Sequence, residues 1–205
     1  MTGSSDRELV ERDTEKRLFR LYNLSEHPQK AALANLRRGV GRVPGELPEL
    51  WGEFLLDFPQ ELESKTGVPT RAEWAVYLAL TLYALHQQGR DVRREPMHRE
   101  DQPLGRAVRR LVKPGEDPQD AAVLRRFQAL TSAASMREVS QHLRGIIQIL
   151  RSEGIALDYV RLAADLYDLQ FPEASQRVRL RWGQDYYRTP TDAEQLKNQE
   201  EEGKK

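Results

Sequence analysis

The sequence predicts an all-α protein. Apolar residues recur at three- and four-residue spacing along most of the chain, these runs stop at Pro or Gly, and strand-like alternation is nearly missing. A length of 205 residues suits one domain or two small ones.

The first helix is expected over residues 5–23. The second is expected from Gln29 to Arg38, with Gly39 as the left-handed residue that ends it. The Gly- and Pro-rich residues 39–48 read as a loop, and a short helix follows over 49–58. Thr70 and Glu73 have the spacing of a capping box, in which each side chain satisfies an orphan amide of the first turn, and they open a helix that reaches His86. That helix is apolar on nearly every side (Trp74, Val76, Tyr77, Leu78, Leu80, Leu82, Tyr83, Leu85), so it belongs at the centre of a bundle. Residues 89–102 are polar, Arg-rich and without periodicity, which marks a domain boundary or a mobile loop.

Four helices are expected in the second half. One covers residues 103–113. Another starts with Asp117 as N-cap and Pro118 in its first turn and runs to Ser132. Met136, Val139, Leu143, Ile146, Ile147 and Leu150 form a stripe that ends at Gly154, and Asp158 caps a further helix that Pro172 stops. The last helix spans residues 173–188, and the polar remainder, 189–205, reads as a disordered acidic tail.

Composition excludes several kinds of function. Without cysteine there are no disulfides or thiolate sites, which suits a reducing cytoplasm, and no stretch approaches 18 apolar residues, which argues against a membrane. Phosphate-cradling loops, dinucleotide fingerprints, His-Glu-x-x-His and nucleophile elbows are missing, so no catalytic residue is assigned. His27, His86, His98 and His142 are scattered without ligand spacing, and no metal or other cofactor is expected. Asp165 and Asp168 share a helix face, which reads as a solvated acidic surface.

Formal net charge is zero, so a basic site must arise by local segregation. Residues 106–188 hold 14 Lys/Arg against 10 Asp/Glu, which places the basic excess in the second half. Arg106, Arg109, Arg110 and Lys113 stand at i, i+3, i+4 and i+7, four cations on one helix face that await phosphates or the acids of a neighbouring helix. Arg177, Arg181, Gln184 and Arg188 form a second stripe, while Trp182 and Tyr186 read as core. Arg125 and Arg126 point away from the Val123, Leu124, Phe127 and Leu130 face. Arg37 and Arg38 lie at a helix C-terminus, where cations also complement the dipole.

Seven short motifs follow in a set order: Leu36-Arg37-Arg38-Gly39, Leu104-Gly105-Arg106-Ala107, Arg125-Arg126-Phe127, His142-Leu143-Arg144, Leu157-Asp158-Tyr159, Asp165-Leu166-Tyr167 and Val178-Arg179-Leu180-Arg181-Trp182. The ordered set resembles the CasB family, the small subunit of the type I-E CRISPR Cascade complex. The resemblance implies two small helical bundles in an elongated arrangement, over residues 1–100 and 101–188. It also implies a non-catalytic role in which nucleic acid is held without reading sequence and the R-loop is stabilised on its target and displaced strands. Implied partners are a second copy of the chain, the CasA, CasC and CasE subunits, guide RNA and target DNA. Arg37, Arg38, Arg106, Arg125, Arg126 and Arg144 match basic positions of the family. The alternative is a helical interaction scaffold whose arginines pair with acidic partner surfaces.

Overall fold

The computed structural model describes residues 2–119 and 121–188, with side chains from residue 6 onward; the expected acidic tail lies outside the described residues. The chain forms helices α1 (Thr2–Asn23), α2 (Glu26–Arg38), α3 (Trp51–Phe54), α4 (Arg71–His86), α5 (Leu104–Arg109), α6 (Ala122–Thr131), α7 (Met136–Glu153), α8 (Tyr159–Asp168) and α9 (Pro172–Tyr187). The all-α expectation holds: among the described residues the nearest thing to a strand is one isolated bridge between His98 and Leu157.

The capping box at the start of α4 forms as expected. Glu73 N donates to Thr70 Oγ1 at 3.1 Å, and Thr70 N donates to Glu73 Oε2 at 2.6 Å. From Ala72 to His86 only Trp74 and Leu85 keep partial exposure, because α1, α2, α7 and α8 pack around the helix. Residues 1–100 and 101–188 are not separated by a gap in this core: α8 lies against both α1 and α4, and the buried side chains of both stretches join in one cluster.

Buried polar groups tie the periphery to this centre. Arg17 is almost fully buried; its Nε donates to Asp13 at 2.7 Å, and its two amino groups donate to the Glu53 and Leu56 carbonyls at 2.9 and 3.1 Å. One side chain thus closes the short α3 segment onto α1. Burial raises the Asp13 carboxyl above its ordinary range, against the pull of the Arg17 bond and charge.

Several boundaries differ from expectation, each for a local reason. Gly39 is right-handed, at φ −75°. It is glycine because a Cβ there would stand 2.6 Å from the Tyr77 hydroxyl and 2.7 Å from Leu50 Cδ1. Helix α5 ends at Arg109 instead of reaching Lys113, since Pro114 disfavours a helical Lys113 and Gly115 turns the chain at φ +83°. Asp117 does not cap a helix: its carboxylate accepts from Gln119 N in a turn, and α6 begins later, at Ala122, without a side-chain cap. Pro172 opens α9 in its first turn, after α8 has already ended at Asp168.

Residues 89–102 are a strap, not a mobile loop. The Gln87 amide donates to the Arg90 and Glu95 carbonyls and accepts from Met97 N; Val92 and Met97 are buried; and backbone bonds join Met97, Arg99 and Gln102 to Leu157 and Asp158. Polar composition concealed this, because the segment is held largely by backbone bonds and by polar side chains: besides the Gln87 amide, Arg90 donates to the Arg151 carbonyl at 2.9 Å and His98 Nδ1 accepts from Tyr159 N at 3.2 Å.

Helices α5 and α9 approach closely at Gly105, where a Cβ would lie 2.2 Å from the Trp182 carbonyl oxygen and 2.8 Å from Asp185 Cβ. A methyl there must force two backbones apart. Gly105→Ala is therefore expected to destabilise the fold by about 1–3 kcal/mol, read as a lower thermal midpoint.

His86 is fully buried, with its Nδ1 2.9 Å from the Tyr159 hydroxyl across the α4–α8 contact. Burial and the Arg90 charge lower its pKa to about 4. An unfolded histidine titrates near 6.5. Between these values only the unfolded chain takes up the proton, so stability falls as pH drops through this window, by on the order of 3 kcal/mol. The raised carboxyls Asp13 and Asp165 act in the opposite sense at the acid end. The comparison with His86→Gln isolates the histidine: the variant is expected to lose less stability than the wild type in urea unfolding between about pH 7 and about pH 4.5.

Candidate nucleic-acid interface

The expected basic positions separate into arginines committed to the chain's own fold and arginines left to solvent. Burial of their partners decides which is which.

On α9 the expected stripe is broken. Arg181 donates to Asp165 at 2.6 Å, and Trp182 Nε1 donates to the other oxygen of the same carboxylate at 2.6 Å. Asp165 is only 2 % exposed, and burial raises its pKa against the pull of Trp182 and Arg181. The expectation of a solvated acidic face at Asp165 and Asp168 is thereby corrected: Asp165 is a buried anchor between α8 and α9, and Asp168 pairs with Arg7 at 3.1 Å. Trp182 and Tyr186 are core, as expected. Arg177, in the second turn of the helix, and Arg188, at its C-cap, remain exposed.

The four-cation face of residues 106–113 does not form, because α5 is only six residues long. Arg106 is half-buried and donates to the Asp101 carbonyl at 3.4 Å. Arg109 is half-buried, with its charge close enough to Tyr186 to act on the phenol. Arg110 is exposed at the helix C-cap, and Lys113 is exposed beyond it, in a turn whose backbone Glu116 holds.

Arg38 is matched within the chain, 2.6 Å from Glu49. Its neighbour Arg37 is half-buried, and both burial and the nearby Arg151 charge lower its pKa. Like charges therefore face each other where α2 ends beside α7.

The clearest basic surface lies on α6 and α7. Arg125 and Arg126 are exposed on α6 and Arg144 is exposed on α7, and no carboxylate among the described residues pairs with any of the three. Sequence reading missed Arg137 and Arg151, which stand seven residues either side of Arg144 and lie on the same outer row of α7. That row was the available signal. Arg137 is exposed, and Arg151 donates to Gln88 Oε1 at 2.7 Å. Between α6 and α7 runs a groove of about 470 Å³, lined by Arg125, Arg126, Gln141, His142 and Gly145.

Among the described residues no group of three or more His, Asp or Glu side chains is placed to hold a metal ion, and no helix is long and apolar enough to cross a membrane.

The profile of one protein family, CRISPR-associated protein Cse2, matches residues 32–187. The chain belongs to this family. Among solved structures, the Cse2-family chain is similar to CasB from Thermobifida fusca, with 34% identity over 88% of this chain and 98% of that one, at a TM-score of 0.71. It is also similar to CasB from Thermus thermophilus, with 26% identity over 91% and 98% of the two chains, at a TM-score of 0.60. A further CRISPR-associated protein of the Cse2 family, also from Thermus thermophilus, 23% identical over 91% and 97% at a TM-score of 0.58, shares the fold. No curated protein matches. In this Cse2-family chain the profile begins inside α2, yet α1 is packed into the same core through α4 and α8.

The distinction between committed and free arginines has a measurable consequence. Arg181→Ala leaves a buried carboxylate short of a partner and is expected to cost about 1–3 kcal/mol of stability in chemical denaturation. Arg144→Ala, which removes an exposed group with no described partner, is expected to stay within about 0.5 kcal/mol of wild type.

Proposed function

We propose that this Cse2-family chain is the non-catalytic small subunit of a type I-E Cascade effector complex in the cytoplasm. In this reading it binds nucleic acid non-specifically through phosphates and stabilises the R-loop on its target and displaced strands. Its partners there are a second copy of itself, the CasA, CasC and CasE subunits, guide RNA and target DNA. The observation that carries the reading is the set Arg125, Arg126 and Arg144, exposed on adjoining helices without carboxylate partners among the described residues and continued by Arg137, Arg151 and Arg37.

The physics of the task suits this surface. The RNA–DNA heteroduplex is about as stable as the DNA duplex it replaces, so contacts that neutralise a few phosphates tip the exchange without touching a base edge. Arginine is the better residue for such contacts, since its planar guanidinium presents several donors to a phosphate in fixed geometry.

The interaction-scaffold alternative draws support from large apolar side chains left exposed, among them Phe19, Trp51, Leu56 and Leu180. The two readings part on one variant. For phosphate binding, the isolated chain shifts mixed-sequence single-stranded DNA with an affinity that falls as salt rises, by a log–log slope of roughly 0.7 per phosphate. Replacing Arg125, Arg126 and Arg144 together by Ala then flattens the slope by about 2 while helix content stays intact. An unchanged slope rejects the site. For the scaffold reading, the wild-type chain binds no DNA at any salt, and the triple variant loses co-purification with partner subunits.

A further inference from the structure

The helical glycines of this chain fall into two groups. Gly105 is required by packing, since a Cβ there would collide with the backbone of α9. Gly52, Gly145 and Gly183 are not: a Cβ on Gly52 or Gly183 would meet nothing within 4 Å, and one on Gly145, near the middle of α7, would meet only the tip of Arg126, 4.0 Å away. A glycine inside a helix weakens it relative to alanine through backbone entropy, and here no close neighbour in the chain's own fold explains the choice.

The position of Gly145 supplies a reason. Gly145 lines the groove between α6 and α7, whose volume of about 470 Å³ lies in the range of small-ligand sites, roughly 300–1,000 Å³. The rim carries the guanidinium groups of Arg125 and Arg126, which are planar, charged and without a carboxylate partner among the described residues. His142 contributes a half-exposed ring one turn before Gly145, and Gln141 contributes an amide able both to donate and to accept. The lining therefore offers phosphate forks and flat polar groups beside the apolar side chains of Ala122, Ala129 and Ile146.

We infer that this groove seats one unstacked nucleobase of a single strand, with the adjoining phosphates on Arg125 and Arg126, and that Gly145 keeps it open. The inference rests on the phosphate-binding reading and deepens it, because it adds a contact that a bare sugar-phosphate backbone does not make. The stacking faces are guanidinium and imidazole, which accept any base, so the seat discriminates by strandedness and not by sequence. A duplex keeps its bases paired and stacked and meets only the rim. A strand displaced from its partner has bases free to enter.

The test uses the isolated full-length chain and two probes of equal length, about 20 units: a mixed-sequence single-stranded DNA and the same backbone carrying abasic residues throughout. Wild type is expected to bind the intact strand at least about fivefold more tightly than the abasic one, the low end of what stacking one base contributes. Gly145→Leu, which fills the groove with a better helix former, is expected to bring intact-strand affinity down to the abasic level while abasic binding is unchanged. Circular dichroism checks that this variant folds. Gly145→Ala, which adds only a methyl, is expected to raise the thermal midpoint by about 3 °C and to shrink the preference for the intact strand at least about twofold. Equal, salt-dependent binding of both probes by wild type overturns the base seat and leaves the phosphate reading standing. A preference that survives both substitutions unchanged also overturns it. Binding of neither probe at any salt overturns the phosphate reading and the seat with it.

Discussion

Helix α4 has almost no polar face, and the arrangement of the chain follows from that. An all-round apolar helix has to be covered on every side, and four helices are recruited to do it: α1 and α2 from the first half, α7 and α8 from the second. Covering α4 from both ends of the sequence places α7 with one flank against the core and the opposite flank outward. The basic row Arg137, Arg144 and Arg151 lies on that outward flank. The polar strap over residues 89–102 and the buried His86–Tyr159 pair then stitch the two halves where they meet. The candidate interface is thus a by-product of burying one helix.

A chain with no net charge can still present a cationic surface if its acids are used up elsewhere. That is what the ion pairs show. Asp13, Glu49, Asp165 and Asp168 are each engaged with an arginine of the chain, and two of these carboxylates are deeply buried. The acids around α8 and α9 serve cohesion, which leaves Arg125, Arg126 and Arg144 on α6 and α7 uncompensated among the described residues. Arginine plays both roles because its planar fork satisfies a buried carboxylate as readily as an external phosphate. Residue type alone does not separate the two uses.

Local chemistry was legible where it acts over three or four residues. The Thr70–Glu73 box, the Asp158 N-terminal end and the stop at Gly154 are all decided by neighbours along the chain. Expectations failed where distant partners intervened. Asp165 reads as one acid on a helix face until Trp182 and Arg181 are brought onto it from α9. Gly39 does end α2, but it reads as a left-handed terminator and is instead right-handed, a glycine because Tyr77 and Leu50 crowd it. One expectation failed for a local reason: the face from Arg106 to Lys113 has helical spacing, but the adjoining Pro114–Gly115 turn withdraws the last turn of helix from it.

By itself the sequence determined the helical class, the central place of α4, most capped ends and most of the arginines from which an interface is drawn, because spacing and capping are properties of neighbouring residues. The tertiary structure alone decided which of those arginines remain free and where a groove opens beside them. A side chain's charge is available only after the fold has settled which carboxylates come within reach of it, and those carboxylates lie far away along the chain.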